Sequence, residues 1–552
     1  MGRGAYARSA GRLQGEMCQI ERGGLLPRTA RGESGACMAR TELPLAPSEP
    51  GCGPVRPSSR AWKRALVLLV VHGLIALHIW HWLATGRTLT PLEPSEAGET
   101  LLTGAINAGF VLFVLLILST LVFGRFFCGW ACHVVAYQDA CAWLLAKLGL
   151  KPRPIRSRLL VFVPFLVAAE MFVLPSLVRG QFFPELSWHL TTDSFWERFP
   201  GFWIGALTFL VCGALVVWFF GAKGFCTYGC PYGAFFGVAE RFAPGRIRVT
   251  DACEGCGHCS AVCTSNVLVH KEVKEHGMVV DAGCMKCLDC VSSCPKEALY
   301  FGFGKLPGTA QRARRSYDFS WGEELLLALV FLGAAYAFRG LYGLVPLLLA
   351  VGLALLVAGL AVVLVRLVTR RELGFQRLVL RRGGRVTAAG GAFSLVALGA
   401  LGASGHSGLV QWHARQGEAA LEAARGAGPA EARARGLAEA AGHLGQASAL
   451  GFVASVELEN KLGQVLFTLG RAPEAEAHLA RAVELDPANK SARVFLARVR
   501  IQRGDLEGAV RLLEQVHALD PRDAGLPAAL GELLRAAPEH AGARALAERL
   551  AR

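Results

Sequence analysis

Charged side chains are scarce in this sequence: Asp, Glu, Lys and Arg make up 18% of its 552 residues, against 53% apolar ones. That balance cannot coat a water-soluble globule, so a wholly soluble chain is excluded. No apolar run precedes Ala65, so no secretory signal is expected, and the Arg-, Gly- and Pro-rich residues 1–60 are predicted to form a disordered basic arm. Met17 or Met38 is an alternative start within it, and a start at Met38 would leave out Cys18 and Cys37. No nucleotide or flavin motif is present, so the chain depends on partners. Cysteine is missing beyond residue 410, which removes thiol chemistry from the C-terminal part. A net charge of +15 would suit nucleic acid, but Lys and Arg sit beside apolar blocks and read as topology signals instead. No nucleic-acid partner is expected.

What is abundant is apolar sequence in blocks. A bilayer core of roughly 30 Å needs about 20 apolar residues in a helix, and blocks occur at 65–84, 101–123, 159–178, 201–220, 325–338, 343–365 and 386–404. Loops carrying Arg125, Lys151, Arg153, Arg156 and Arg158, and later Arg366, Arg370 and Arg371, are predicted to face the cytoplasm; the loop at 85–100, with Glu93, Glu96 and Glu99, faces outward. The expected organisation is an arm over 1–60, a four-span membrane domain over 61–240 with two cysteine pairs, and, over 245–305, a domain with two Cys-x2-Cys-x2-Cys-x3-Cys runs, the spacing of a two-cluster ferredoxin. Two or three further spans follow over 320–410, then a helical repeat domain over 411–552. The fold class is an α-helical polytopic membrane protein with an inserted small α+β ferredoxin domain and a C-terminal α-solenoid.

The strongest chemical signal lies on the cytoplasmic side. CEGCGHCSAVCT from Cys253 and CMKCLDCVSSCP from Cys284 each read Cys-x2-Cys-x2-Cys-x3-Cys, the spacing of a two-cluster bacterial ferredoxin. The fourth Cys of each run serves the other cluster in that pattern. One [4Fe–4S] cluster is therefore assigned to Cys253, Cys256, Cys259 and Cys294, and the second to Cys284, Cys287, Cys290 and Cys263. Zinc sites need only four ligands, and disulfides do not suit a reducing compartment. The stretch between the runs, VLVHKEVKEHGMVVDAG, is predicted to form short strands and a turn, with His258 and His270 at the surface.

Two further pairs, Cys128/Cys132 in FFCGWACH and Cys226/Cys230 in FCTYGCPYG, each follow an apolar block. Cys-x3-Cys pairs at the cytoplasmic ends of spans, followed by a twin-cluster module, resemble the membrane polyferredoxins. These include the NapH-type nitrate reductase subunit, the NosR-type regulator and the cytochrome oxidase accessory protein. The resemblance covers about residues 60–305. It implies electron transfer at the membrane: quinol oxidation, reduction of a partner, or reduction of a metal during cofactor assembly. Cys226, Cys230 and Pro231 match the family's CxxxCP motif, whereas His133 replaces the proline after Cys128 and Cys132.

Physically, each pair offers two thiols on one helical turn. Pseudo-symmetric packing of the two halves would gather Cys128, Cys132, Cys226 and Cys230 into a redox or metal site, with His133 as an added donor. Ordinary buried thiols, the expectation for Cys141 and Cys212, are the competing reading. Intramembrane ionisable residues are functional candidates by default, so Glu170 is a candidate proton acceptor for a quinol, and His72, His78 and His81 candidate ligands of quinone or haem. For His78 and His81 the competing reading is an interfacial position beside Trp80 and Trp82. Ser320 to Glu323 has capping-box spacing.

Beyond residue 410 a period of 34 residues pairs Gly463 with Ala497, Gly470 with Gly504, Leu479 with Leu513 and Pro487 with Pro521, the tetratricopeptide register. Stacked helix pairs present a concave face for protein segments, so a redox partner or client is expected there, periplasmic if the seventh block spans. Two functions follow: an electron carrier between a quinol or cytoplasmic donor and a membrane or periplasmic acceptor, or a metal-reducing assembly factor for a respiratory enzyme. An oxidoreductase activity, quinol- or metal-linked, belongs to either.

Overall fold

The computed structural model describes residues 55–150, 152–180, 184–195, 201–306, 317–426 and 428–550. Most of the expected arm, with Cys18 and Cys37, lies outside the described residues. Among the described residues, six helices are long and apolar enough to cross a membrane: Ala61–Thr85, Leu160–Arg179, Phe202–Phe220, Trp321–Phe338, Leu347–Thr369 and Ala388–Gly426. A seventh apolar helix, Ala108–Phe123, is shorter than the expected block at 101–123. Gly104 ends the preceding helix Ala97–Thr103 in a left-handed conformation, and the Asn107 side chain accepts from the Phe110 N–H to start a new one.

Local chemistry sets the other boundaries as well. Pro175 lacks an N–H to continue the third span, which breaks at Val173 and resumes as Leu174–Arg179. The fifth span starts at the expected capping box, where Ser320 Oγ accepts from Glu323 N and Glu323 Oε2 accepts from Ser320 N. Leu347–Thr369 is the most buried span and Ala61–Thr85 the least, so the sixth span forms the axis of the bundle and the first its edge.

The ferredoxin region is closed by an antiparallel pair of strands, Arg246–Val249 and Leu299–Gly302, with Arg246 opposite Gly302. Between the Cys runs the strand expectation fails. Val269–His276 is a helix that buries Val269, Glu272 and Val273, an i, i+3, i+4 stripe, and Gly277 closes it at φ +67°. Only Met278 pairs with a strand, bridging to Arg248.

The C-terminal helices pair as Val456–Thr468 with Ala472–Leu485 and Lys490–Arg503 with Leu506–Leu519, followed by Leu526–Ala536 and Ala541–Leu550. Small residues at the expected register sit at the contacts: Ala475, Ala497 and Ala509 are fully buried. The first helix of the array is the seventh span itself, which runs unbroken from Ala388 to Gly426 and packs on Ala430–Leu450. The ferredoxin and the repeats occupy opposite ends of the fifth span. Near its start, Arg156 N donates to Asp318 and Asn266 reaches Ile155 O; beyond its end, Leu341 packs with Val410 and Ala447, and Tyr342 Oη accepts from Phe452 N.

Candidate electron-transfer centre

The eight ferredoxin cysteines fall into two groups by proximity. Cys253, Cys256, Cys259 and Cys294 line one small cavity, together with Gly257, His258 and Pro295. Cys263 lies beside Cys284 and Cys287, and Cys290 beside Cys284, Cys287 and Cys263. The fourth Cys of each run thus crosses to the other group. Burial raises the thiols, Cys259 to about 12 and Cys263 to about 11, so they need a bound cation to ionise at neutral pH. Among the described residues, no three His, Cys, Asp or Glu side chains are close enough to hold a single ion. Ligands of a polynuclear cluster have no such need, because each binds its own iron.

His258 is buried rather than at the surface, and neither of its ring nitrogens has a hydrogen-bond partner. It faces the first cavity, where cluster sulfide is a suitable acceptor for its N–H. His270 is half-buried, and its Nδ1 lies 2.7 Å from Ser260 Oγ. The two groups differ in exposure: Cys253 is exposed, whereas Cys284, Cys287 and Cys290 are buried.

That burial comes from the membrane domain. Lys286 Nζ and Glu240 Oε1 form an ion pair of 2.5 Å with both side chains fully buried, and Arg125 N donates to Glu240 Oε2 at 2.7 Å. Trp130 Nε1 donates to Lys286 O, Arg125 to Ala282 O, and Arg64 bridges Asp289 and Asp139. Ser58 Oγ donates to Asp289 Oδ1 at 2.6 Å. Gly129 is required at the seam: a Cβ there would meet Met285 O at 2.1 Å and Cys287 N at 3.2 Å. The second cysteine group therefore touches the FFCGWACH turn directly. Sequence reasoning missed Glu240, Arg125 and Lys286, although a charged residue so close to an apolar block was a visible signal.

The two Cys-x3-Cys motifs are built alike. Cys128 lies in the short helix Phe126–Trp130 and Cys226 in Gly224–Tyr228; each second cysteine follows the helix, with Cys132 N donating to Phe127 O and Cys230 N to Phe225 O. The pairs sit on a tight terminal turn, not on one regular helix. Cys128, Cys132 and Cys226 share a core cluster with Phe113, Phe172 and Met285, and Cys230 neighbours Cys128 and Cys132. Burial pushes Cys132, Cys226 and Cys230 each up to about 12. His133 is the first residue of His133–Lys147, and Pro231 immediately precedes Tyr232–Phe242, so both occupy a helix start.

The other intramembrane candidates have local partners. His72 Nδ1 lies 2.7 Å from Leu68 O, His78 Nε2 3.0 Å from Leu89 O and His81 Nδ1 3.0 Å from Thr88 Oγ1. Glu170 is paired with Arg339 at 2.5 Å in a cavity of about 590 Å³ that Leu166, Val173 and Tyr336 also line. Cys212 donates to Leu348 O at 3.3 Å, and Cys141 is half-buried beside Tyr137.

Comparison with known proteins places these features in a family. A 4Fe-4S dicluster domain matches residues 246–295, and a 4Fe-4S binding domain matches 107–151 and 202–250, the segments bearing the two Cys pairs. Tetratricopeptide repeat families match 425–490 and 466–524. The methylamine utilization ferredoxin-type protein MauN of Methylorubrum extorquens is 30% identical over 213 residues, 37% of this chain and 71% of that protein. The putative electron transport protein YccM of Escherichia coli is 25% identical over 277 residues, 43% of this chain and 74% of YccM. The ferredoxin-type protein NapH of Haemophilus influenzae is 30% identical over 192 residues, 32% of this chain and 62% of NapH. The chain belongs to the membrane polyferredoxin family of ferredoxin-type electron transport proteins, with tetratricopeptide repeats at its C-terminal end.

Proposed function

We propose that this iron–sulfur protein carries electrons between a partner at the exposed Cys253 face and the four-thiol site at the membrane surface. Cys253, Cys256, Cys259 and Cys294 would hold one [4Fe–4S] cluster, and Cys284, Cys287, Cys290 and Cys263 the other; such clusters supply one-electron transfer. The graded burial of the two groups carries the reading: one end is open to a partner, and the other is shut against the Cys128 turn. Lys286, Glu240 and Arg64 fix that docking, and the surrounding apolar residues keep water from the second group.

The quinol end falls on the third span. Ala168 and Phe172 pack against the thiols, while Glu170 of the same helix faces the Arg339 cavity. Glu170 would take a proton from a quinol there, with Arg339 holding the carboxylate in place. A second reading, reduction of a metal for an assembly client, is favoured by the repeat groove of about 840 Å³ between Glu418, Arg433 and Phe495. On the orientation set by Lys and Arg, the ferredoxin is cytoplasmic and the repeats periplasmic.

Anaerobic addition of a quinol to the purified protein tests the two. Bleaching of the cluster absorbance, lost in Glu170→Gln, supports the carrier; cupric reduction with no quinol response supports the assembly factor instead.

A further inference from the structure

The four thiols of the membrane-face pairs carry features that thiols alone leave unexplained. Arg125 is 6% exposed; its guanidinium neighbours Cys128 and Cys230, and its Nε has no acceptor among the described residues. Gln138, with no exposed surface, donates from Nε2 to Cys226 Sγ at 2.8 Å, and its Oε1 is also unpartnered. Buried donors are nearly always satisfied. The Arg125 guanidinium bonds Cys128 and neighbours Cys226 and Cys230, and its remaining Nε–H points to an anionic acceptor among these sulfurs.

Spacing separates the possible occupants. A tetrahedral zinc site, with bonds of about 2.3 Å, holds its sulfurs about 3.8 Å apart. Each thiol of the quartet neighbours at least two others, yet no three among the described residues are close enough for one ion. The two ferredoxin groups show the same relation. Neither segment matched by the 4Fe-4S binding domain contains four cysteines: 107–151 has Cys128, Cys132 and Cys141, and 202–250 has Cys212, Cys226 and Cys230. Cys141 and Cys212 both neighbour Tyr137. A complete four-thiolate set arises only when the two halves pack together.

We propose that Cys128 and Cys132 from one half and Cys226 and Cys230 from the other hold a third [4Fe–4S] cluster, with Arg125 and Gln138 as N–H donors to its sulfurs. This deepens the electron-transfer reading and rests on it. It gives the buried ferredoxin group a neighbour of its own kind at the Gly129 seam.

The test is iron and acid-labile sulfide per chain in anaerobically purified full-length protein, with EPR of the dithionite-reduced sample. About twelve irons and twelve sulfides are expected, three cubanes' worth. The double variant Cys226→Ser/Cys230→Ser should lose about four of each and keep the EPR signals of two clusters, while Cys141→Ser keeps the full count. About eight irons in the wild type, or zinc or copper at the quartet, overturns the third cluster and leaves the two-cluster reading standing. If the double variant does not fold, the wild-type count still decides. A count well below eight removes the electron-transfer reading as well.

Discussion

The two ferredoxin runs trace the same backbone with different residues. In Cys253-Glu-Gly-Cys256-Gly-His-Cys259 the left-handed positions are Gly255 at φ +74° and Gly257 at φ +77°. In Cys284-Met-Lys-Cys287-Leu-Asp-Cys290 the same positions are Lys286 at φ +52° and Leu288 at φ +64°. Side chains in this region cost of order 1–3 kcal/mol each and persist only where the surroundings over-determine them. Here they do: Lys286 is clamped by Glu240 and Trp130, and Leu288 is buried in the module's own core. Glycine marks the run that faces solvent, and strained side chains mark the run that docks.

The comparison can be broken from its strongest point downwards. Glu240→Leu leaves Lys286 charged, buried and unpaired, and should cost about 3–5 kcal/mol, read as a lowered thermal midpoint of the cluster absorbance. Glu240→Leu/Lys286→Met should recover the part of that loss due to the unpaired Lys286, but not the part from the Arg125 N–H and Arg246, which also lose the carboxylate. Gly129→Ala puts a methyl group against Met285 O and should cost about 1–3 kcal/mol, with slower electron exchange between the ferredoxin and the membrane site.

Gly255→Ala has open space for its methyl group, so only backbone strain remains, about 1–2 kcal/mol, and the docked run should be unaffected in EPR. Smallest of all is His133→Pro. Cys132 already has the extended backbone that precedes proline, at φ −75° and ψ 122°, and the change falls at a helix start, where the first N–H groups have no intrahelical partner. A stability change within about 0.5 kcal/mol and unaltered iron content would show that the imidazole holds no metal; iron loss would show that it does.

These experiments also mark what could be read from the chain without its fold. The doubled Cys-x2-Cys-x2-Cys-x3-Cys spacing was legible, and the fold brings Cys294 beside the first run and Cys263 beside the second, as that pattern expects. Leu479 and Leu513 announced the repeats through their period, and the apolar blocks announced the spans. The partners of Glu240 and Gln138, Lys286 and Cys226, were illegible, because they lie far along the chain and no periodicity carries that information; Arg125, three residues before Cys128, was visible but read only as a topology signal. Lys286 and Leu288 were half-legible: setting the two Cys runs side by side shows Lys and Leu where the other has Gly. Val269–His276 was read as strand from the β-branched residues that flank it, Val267, Val279 and Val280, whereas Val269 and Val273, four apart and buried together with Glu272, have a helix's spacing.

The unbroken helix Ala388–Gly426 has a mechanical corollary. Its 39 residues rise about 58 Å without a hinge, so the repeat array has no swivel at the bilayer. Adding a single residue within it would turn the array by about 100°. Whatever the groove grips is thereby presented at a compass bearing and height dictated by residue count, as a signpost arm is by its post.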